Sequence, residues 1–212
     1  MMNNVITKNG LILAGFALCV TMIVAITHQG TKEKIAEQEQ KQLLKILDQV
    51  IDSTSYNNAL YKHCVPVLSE QFLGSKEEQR AFVALHNEQP VAIAIETIAP
   101  NGYNGNIDLV VGINYQGVVT GVRTLSHQET PGLGDKIEIK KAPWITTFNS
   151  KFITKHDDEQ WQVKKDGGQF DQFTGATITP RAVVQAVKNT LVYFKRNKET
   201  LFMSTARCGE SK

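Results

Sequence analysis

Asn9 to Thr27, NGLILAGFALCVTMIVAIT, carries no charge and is apolar at most positions. A helix rises about 1.5 Å per residue, so this run nearly crosses a hydrocarbon core about 30 Å thick. Lys8 precedes it, and His28 and Lys32 follow. A cleaved leader has a shorter apolar region ending in small residues, whereas Ile26-Thr27-His28 offers no such site. The segment therefore reads as a retained single-pass anchor spanning residues 1–30. Lys8 and the terminal amine stand against Lys32 and Lys34, a count that leans toward a cytoplasmic C-terminal part. Large following domains cross largely regardless of such charges.

Thr31 to Val50 is polar with an apolar stripe emerging at Leu43, Leu44, Ile46, Leu47 and Val50, which predicts a stalk helix. Asp52–Asn58, DSTSYNN, marks its end. Residues 51–212 form the expected domain. Four stretches have strand character: Ala81–Leu85, Val91–Ile98, Ile107–Ile113 and Val118–Leu125. Short connectors predict an antiparallel meander. A helix is expected near Pro143–Phe152, a strand at Trp161–Lys164, and a long helix from about Pro180 to Lys198. Strands followed by a packing helix make an α+β domain.

Composition closes off several chemistries. A net charge of +2 gives no basic bias toward nucleic acid. The run Gly132-Leu133-Gly134 lacks the third glycine of a dinucleotide fingerprint, and there is no NTPase phosphate loop or nucleophile elbow. The histidines are scattered without an i,i+4 pair, so no metal site is expected. Cys19 lies in the span; Cys64 and Cys208 could pair if the domain lies outside the cytoplasm.

Two segments remain. In Ser126–Asp135, SHQETPGLGD, the glycines allow close backbone approach and Pro131 stiffens the loop; a plain turn has the same composition. In Asp171–Val187, DQFTGATITPRAVVQAV, three threonines crowd a helix entrance. Thr179 reads as the N-cap and Pro180 as the first helical residue, which places Thr177 beside the positive helix end, where a phosphate fits. A capped helix with spare hydroxyls reads equally well.

Asp171-Gln172-Phe173-Thr174-Gly175-Ala176-Thr177 resembles the covalent flavinylation motif, an Asp followed after two residues by Ser/Thr-Gly-Ala-Thr. His127–Gly134, HQETPGLG, resembles the second signature of the same family, and Gly102-Tyr103-Asn104-Gly105 and Lys164–Gly168, KKDGG, also fit. Together with the anchor, these features are similar to the G subunits of the bacterial Rnf (Rsx) ion-translocating electron-transfer complexes. The C subunits of sodium-pumping NADH:quinone reductases match less closely, being longer and usually having Ser where Thr174 stands.

The resemblance implies one FMN per chain, esterified through its phosphate to Thr177 by a flavin transferase. It implies that Thr174, Gly175 and Ala176 shape the turn and that Asp171 serves as a recognition or positioning residue for the transferase. Glu129, Thr130, Gly132 and Leu133 are then expected to contact the ring or ribityl chain, Trp144 to stack nearby or sit in the core, and Lys165 or Lys164 to meet the phosphate. It implies an inner-membrane protein with a cytoplasmic N-terminus and a periplasmic domain, against the charge count. Its partners would be the other Rnf membrane subunits. A cofactor-free membrane-anchored sensor, and less well a threonine hydrolase using His127, are the readings from other classes.

Overall fold

The computed structural model describes residues 2–154, 158–204 and 208. Anchor and stalk form one uninterrupted helix, α1, Met2–Val50. Its membrane-length segment Ile6–Lys32 is wholly exposed in the isolated chain. Here threonine can hide its polarity in the helix: Thr21 and Thr27 donate to the carbonyls of Ala17 and Ile23, at 2.6 and 2.8 Å. The chain divides into two compact units, residues up to Leu43 and Leu44–Lys212. The last turns of α1 thus belong to the second unit.

That unit is built on a five-stranded sheet in the order β1-β2-β3-β4-β5, each pair antiparallel. The strands are β1 Cys64–Ser69, β2 Ser75–His86, β3 Gln89–Gly102, β4 Gly105–Asn114 and β5 Val119–Ser126. The four expected strands are present as β2 to β5, in the meander that the short connectors require. β1 was not among them. It contains Pro66, which cannot donate to a ladder, and as the sheet's edge strand it tolerates that loss. β2 starts six residues before the expected Ala81, because its polar first half, Ser75–Arg80, pairs with β1 while facing solvent. A short helix, α2 (Glu70–Leu73), links them, capped by the Ser69 hydroxyl.

The long C-terminal helix α3, Ile178–Met203, covers one face of the sheet. Val183, Val187, Leu191 and Phe194 on α3 join Ile93, Ile95, Leu109 and Val111 of the sheet in the main core. Beside them lies an aromatic cluster in which Phe148 stacks on Phe170 at 4.6 Å and on Trp161 at 6.2 Å. The expected helix at Pro143–Phe152 is a 3-10 helix, Pro143–Phe148, and ends before Ser150, whose φ is +63°. The expected strand at Trp161–Lys164 is only a single bridge, Val163 to Phe170, leading into a 3-10 turn at Lys164–Asp166. Both segments take their shape from burying large aromatic side chains in a short span rather than from a ladder.

The opposite face receives the end of α1. Leu47, Val50 and Ile51 are buried there. Gly112 and Gly121 face each other across β4 and β5, and any side chain on them would strike the α1 backbone. A Cβ on Gly112 would lie 2.3 Å from the Val50 carbonyl oxygen, and one on Gly121 2.9 Å from the Val50 Cα. That carbonyl accepts a short hydrogen bond from the Thr120 hydroxyl, and Arg123 Nε donates to Gln49 Oε1 at 2.9 Å. Cys208 is tied to the sheet as well: it forms a disulfide with Cys64 of β1, with Cα atoms 5.4 Å apart. Gly112→Ala should lower unfolding stability by about 1–3 kcal/mol through overpacking, measured by thermal melting of the detergent-solubilised chain. An unchanged melting temperature would mean that the seat of α1 can yield.

Candidate functional site

The threonine-rich segment is a turn feeding a helix. Ala176 N–H donates to the Phe173 carbonyl at 3.2 Å, and Gly175 takes φ +81° at the third turn position. A turn with positive φ there favours glycine. α3 then begins at Ile178, so Thr177 occupies the N-cap position, half-buried, and its side chain makes no capping bond. The sequence reading of Thr179 as the cap is thus corrected. Thr179 lies inside the first turn and is fully buried, its hydroxyl spent on a tertiary contact. Pro180 sits in that turn as well, where amide groups have no helical partner, so its missing N–H costs little.

The tertiary partner of Thr179 is Glu129. This carboxylate is 4% exposed. Its Oε2 accepts a short hydrogen bond from the Thr179 hydroxyl, and its Oε1 accepts the Asn104 backbone N–H at 3.1 Å. A buried carboxylate without donors would be costly, and here three separate segments meet to satisfy it. Two glycines flank this group. A Cβ on Gly102 would lie 2.3 Å from the Gly105 carbonyl oxygen and 2.9 Å from Glu129 Oε1, and one on Gly134 2.9 Å from both Glu129 Cβ and Thr179 Oγ1. Sequence reading singled out Glu129 as a ligand contact; its partnership with Thr179, fifty residues away, has no local signal.

The rest of the first loop closes over the turn. Leu133 and Gly134 N–H both donate to the Thr130 carbonyl, at 3.1 and 3.0 Å. Gly132 takes φ +78° with open space beside it. Leu133 is partly exposed, and its Cδ2 would lie 3.5 Å from a Cβ on Gly175, so the two loops meet at this point. His127 is used up locally: Nδ1 accepts the Glu129 N–H at 3.0 Å, which leaves the proton on Nε2, 3.0 Å from Glu138 Oε1.

Trp144 is buried, packs edge-on against Phe173 at 5.0 Å, and donates its indole N–H to the Asp171 carbonyl at 2.8 Å. Its burial and ring contacts place it in the aromatic core. The Asp171 carboxylate pairs with Lys164 Nζ at 2.6 Å, while Lys165 stands exposed in the neighbouring 3-10 turn. Arg181, on the first turns of α3, grips Asp166 with two bonds of 2.6 Å. Hydrogen bonding to that guanidinium holds the Asp166 carboxyl below the usual aspartate value. An open cleft of about 420 Å³ starts at Ile178 and runs along α3, bounded by Arg181 and Gln185, by Trp161 and Gln162, and by Asn101. Among the described residues no cluster of three metal-ligating side chains exists.

The family described as the FMN-binding domain matches residues 102–192, from the hairpin at Gly102 through most of α3, and the RnfG N-terminal region matches residues 1–50. The chain is 53% identical over 207 residues to the G subunit of the ion-translocating oxidoreductase complex of Shewanella oneidensis, covering 98% of each. It is 50% identical over 208 residues to the G subunit of Vibrio vulnificus, covering 98% of each, and 50% over 207 residues to that of Pseudoalteromonas atlantica, covering 98% of this chain and 96% of the relative. The chain belongs to the family of G subunits of ion-translocating oxidoreductase complexes. Every residue of the Glu129 network and of the threonine turn falls inside the FMN-binding match, and the cofactor-free sensor is set aside with it.

The residues present fit FMN. A half-buried hydroxyl with no capping bond stands at the head of a 26-residue helix, where first-turn amides and the positive dipole end favour a phosphate. Gly175 keeps the approach free of a side chain. Thr179→Val should leave Glu129 Oε2 without its donor and cost about 1–3 kcal/mol, read as a lower melting temperature. A melting curve identical to wild type would show that the contact contributes nothing.

Proposed function

We propose that this chain is a membrane-anchored relay that passes electrons through FMN esterified to Thr177, within a complex of the kind its relatives are named for. The observation that carries this reading is the Thr177 hydroxyl, which stands at the N-cap of α3 without serving as a cap, inside a matched FMN-binding domain. When bound, FMN supplies electron transfer in single or paired steps. The chain's own part is holding and orienting. Thr177 provides the ester oxygen, and the α3 amides and dipole stabilise the phosphate. Thr174, Gly175 and Ala176 form the turn that presents Thr177. Asp171, held by Lys164 and through its carbonyl by Trp144, is the feature the flavin transferase reads. Thr130, Gly132 and Leu133 border the phosphate and ribityl end, Glu129 locks their loop to α3, and Lys165 supplies countercharge.

No nicotinamide fingerprint is present in the sequence, so electrons arrive from and leave to protein neighbours, the other membrane subunits of an Rnf-type complex. Residues 1–30 act as anchor and 31–50 as stalk, whose last turns from Leu44 are shared with the flavin domain of residues 51–212. We place the N-terminus in the cytoplasm and the domain in the periplasm. The Cys64–Cys208 disulfide supports that side, since such bonds persist in oxidising compartments. It closes a loop of 144 residues, for which chain entropy gives a stabilisation of about 5 kcal/mol.

The full chain produced with the transferase should keep flavin fluorescence on a denaturing gel, where a non-covalent flavin is lost. Thr177→Ala should be dark yet folded; Thr174→Ser should stay bright. A bright Thr177→Ala, or a dark wild type, contradicts the assignment.

A further inference from the structure

The chain has two tryptophans, and both lie in one run of aromatic rings. The run begins at the turn that presents Thr177. Trp144 meets that turn twice, through its indole N–H on the Asp171 carbonyl at 2.8 Å and edge-on against Phe173 at 5.0 Å. Phe148 follows, 5.4 Å from Trp144. It stacks in turn on Trp161 at 6.2 Å and on Phe170 at 4.6 Å, and Phe170 lies 5.3 Å from Trp161. At the end of the run the Trp161 indole N–H donates to the carbonyl of Phe152, an exposed residue. Burial and ring contacts reward aromatic residues here, but they do not require the two indoles to stand at the ends with phenylalanines between them. Indole gives up an electron far more readily than a benzyl ring does, so the order of residues is also an order of oxidisable groups.

We propose that this run protects the flavin carried by Thr177 from light: Trp144 gives one electron to the excited flavin and is refilled from Trp161. The inference rests on the covalent attachment proposed above, which keeps the flavin at high effective concentration around this turn. The step balances without any outside reagent. One electron leaves Trp144 for the excited flavin, one passes from Trp161 to Trp144, and return of the first electron to Trp161 restores all three groups. Flavin in its ground state is too weak an oxidant to take an electron from indole, so the relay itself is not short-circuited. Both indole N–H groups donate to backbone carbonyls, and such bonds strengthen when the donor is charged, which favours the cation each indole briefly becomes. Trp161 is only 1% exposed, which shields its cation from reaction with solvent. An excited flavin left unquenched attacks its own ribityl chain or sensitises oxygen. An esterified flavin cannot be exchanged for a fresh one, so excluding that competing chemistry falls to the protein.

The test uses the full chain, flavinylated by its transferase and held in detergent. Native wild type should emit several-fold less fluorescence per flavin than the same sample unfolded in guanidinium. Its excited-state decay should be matched by the appearance of a tryptophan radical in transient absorption, a readout that stands even where a variant fails to fold. Trp144→Phe, which keeps a ring in the core, should recover most of the lost emission while folded. Trp161→Phe should remain quenched, because the first step is intact, but its tryptophan radical should decay several-fold faster. Native wild type as bright as unfolded, quenching without a tryptophan radical, or a folded Trp144→Phe as dim as wild type overturns the proposal. An unchanged radical lifetime in Trp161→Phe overturns the refilling step. A dark wild-type band on the denaturing gel overturns instead the attachment on which the proposal rests.

Discussion

The carboxylate of Glu129 lies in the interior, almost entirely shielded from solvent. A group of this kind must be fully supplied with donors or it destabilises what surrounds it. Its donors come from the β3–β4 hairpin, through Asn104 N–H, and from the first turn of α3, through Thr179. The loop that carries Glu129 is thereby bound to both. Leu133 of that loop reaches the Gly175 turn, so the residues that present Thr177 are positioned from several sides. The glycine at 134 follows from the same constraint, because a side chain there would displace Glu129 or Thr179, whereas Gly102 is required first by the Gly105 carbonyl across the hairpin.

A second constraint seats the last turn of α1 within the domain. The end of α1 lies on the bare backbone of Gly112 and Gly121, where close approach lets Thr120 bond the Val50 carbonyl. Helix ends leave carbonyls without partners, and this one is completed by the sheet. The last turns of the long helix are therefore part of the domain core. At the other side of the sheet, Cys208 is joined to edge strand β1 by the disulfide and by its own N–H to the Cys64 carbonyl at 3.1 Å.

Much of this was readable in the sequence, for physical reasons that differ by element. The uncharged run from Asn9 to Thr27 allows little but a membrane-length helix. Ile107, Leu109, Val111 and Ile113 alternate cleanly, and all four are buried on one face. The apolar stripe of α3 repeats at helical spacing and packs as expected. Strand β1 was illegible because it is short and contains Pro66, and its existence depends on pairing with β2. The aromatic segments around Trp144 and Trp161 have no periodicity to read, since their form is set by tertiary packing. Thr179 was misread because local capping rules favoured it, whereas a distant carboxylate decided its role. The turn Phe173–Ala176 was legible from Gly175, and the significance of Thr177 came from the motif it completes.

Everything proposed for this site depends on Thr177 bearing the flavin. Mass spectrometry of the proteolytic peptide spanning residues 166–181, released from native membranes, addresses this directly by locating any added mass. The expected increment equals FMN less one water, with fragment ions that assign it to Thr177. An unmodified peptide, or the increment on Thr174 or Thr179, would contradict it.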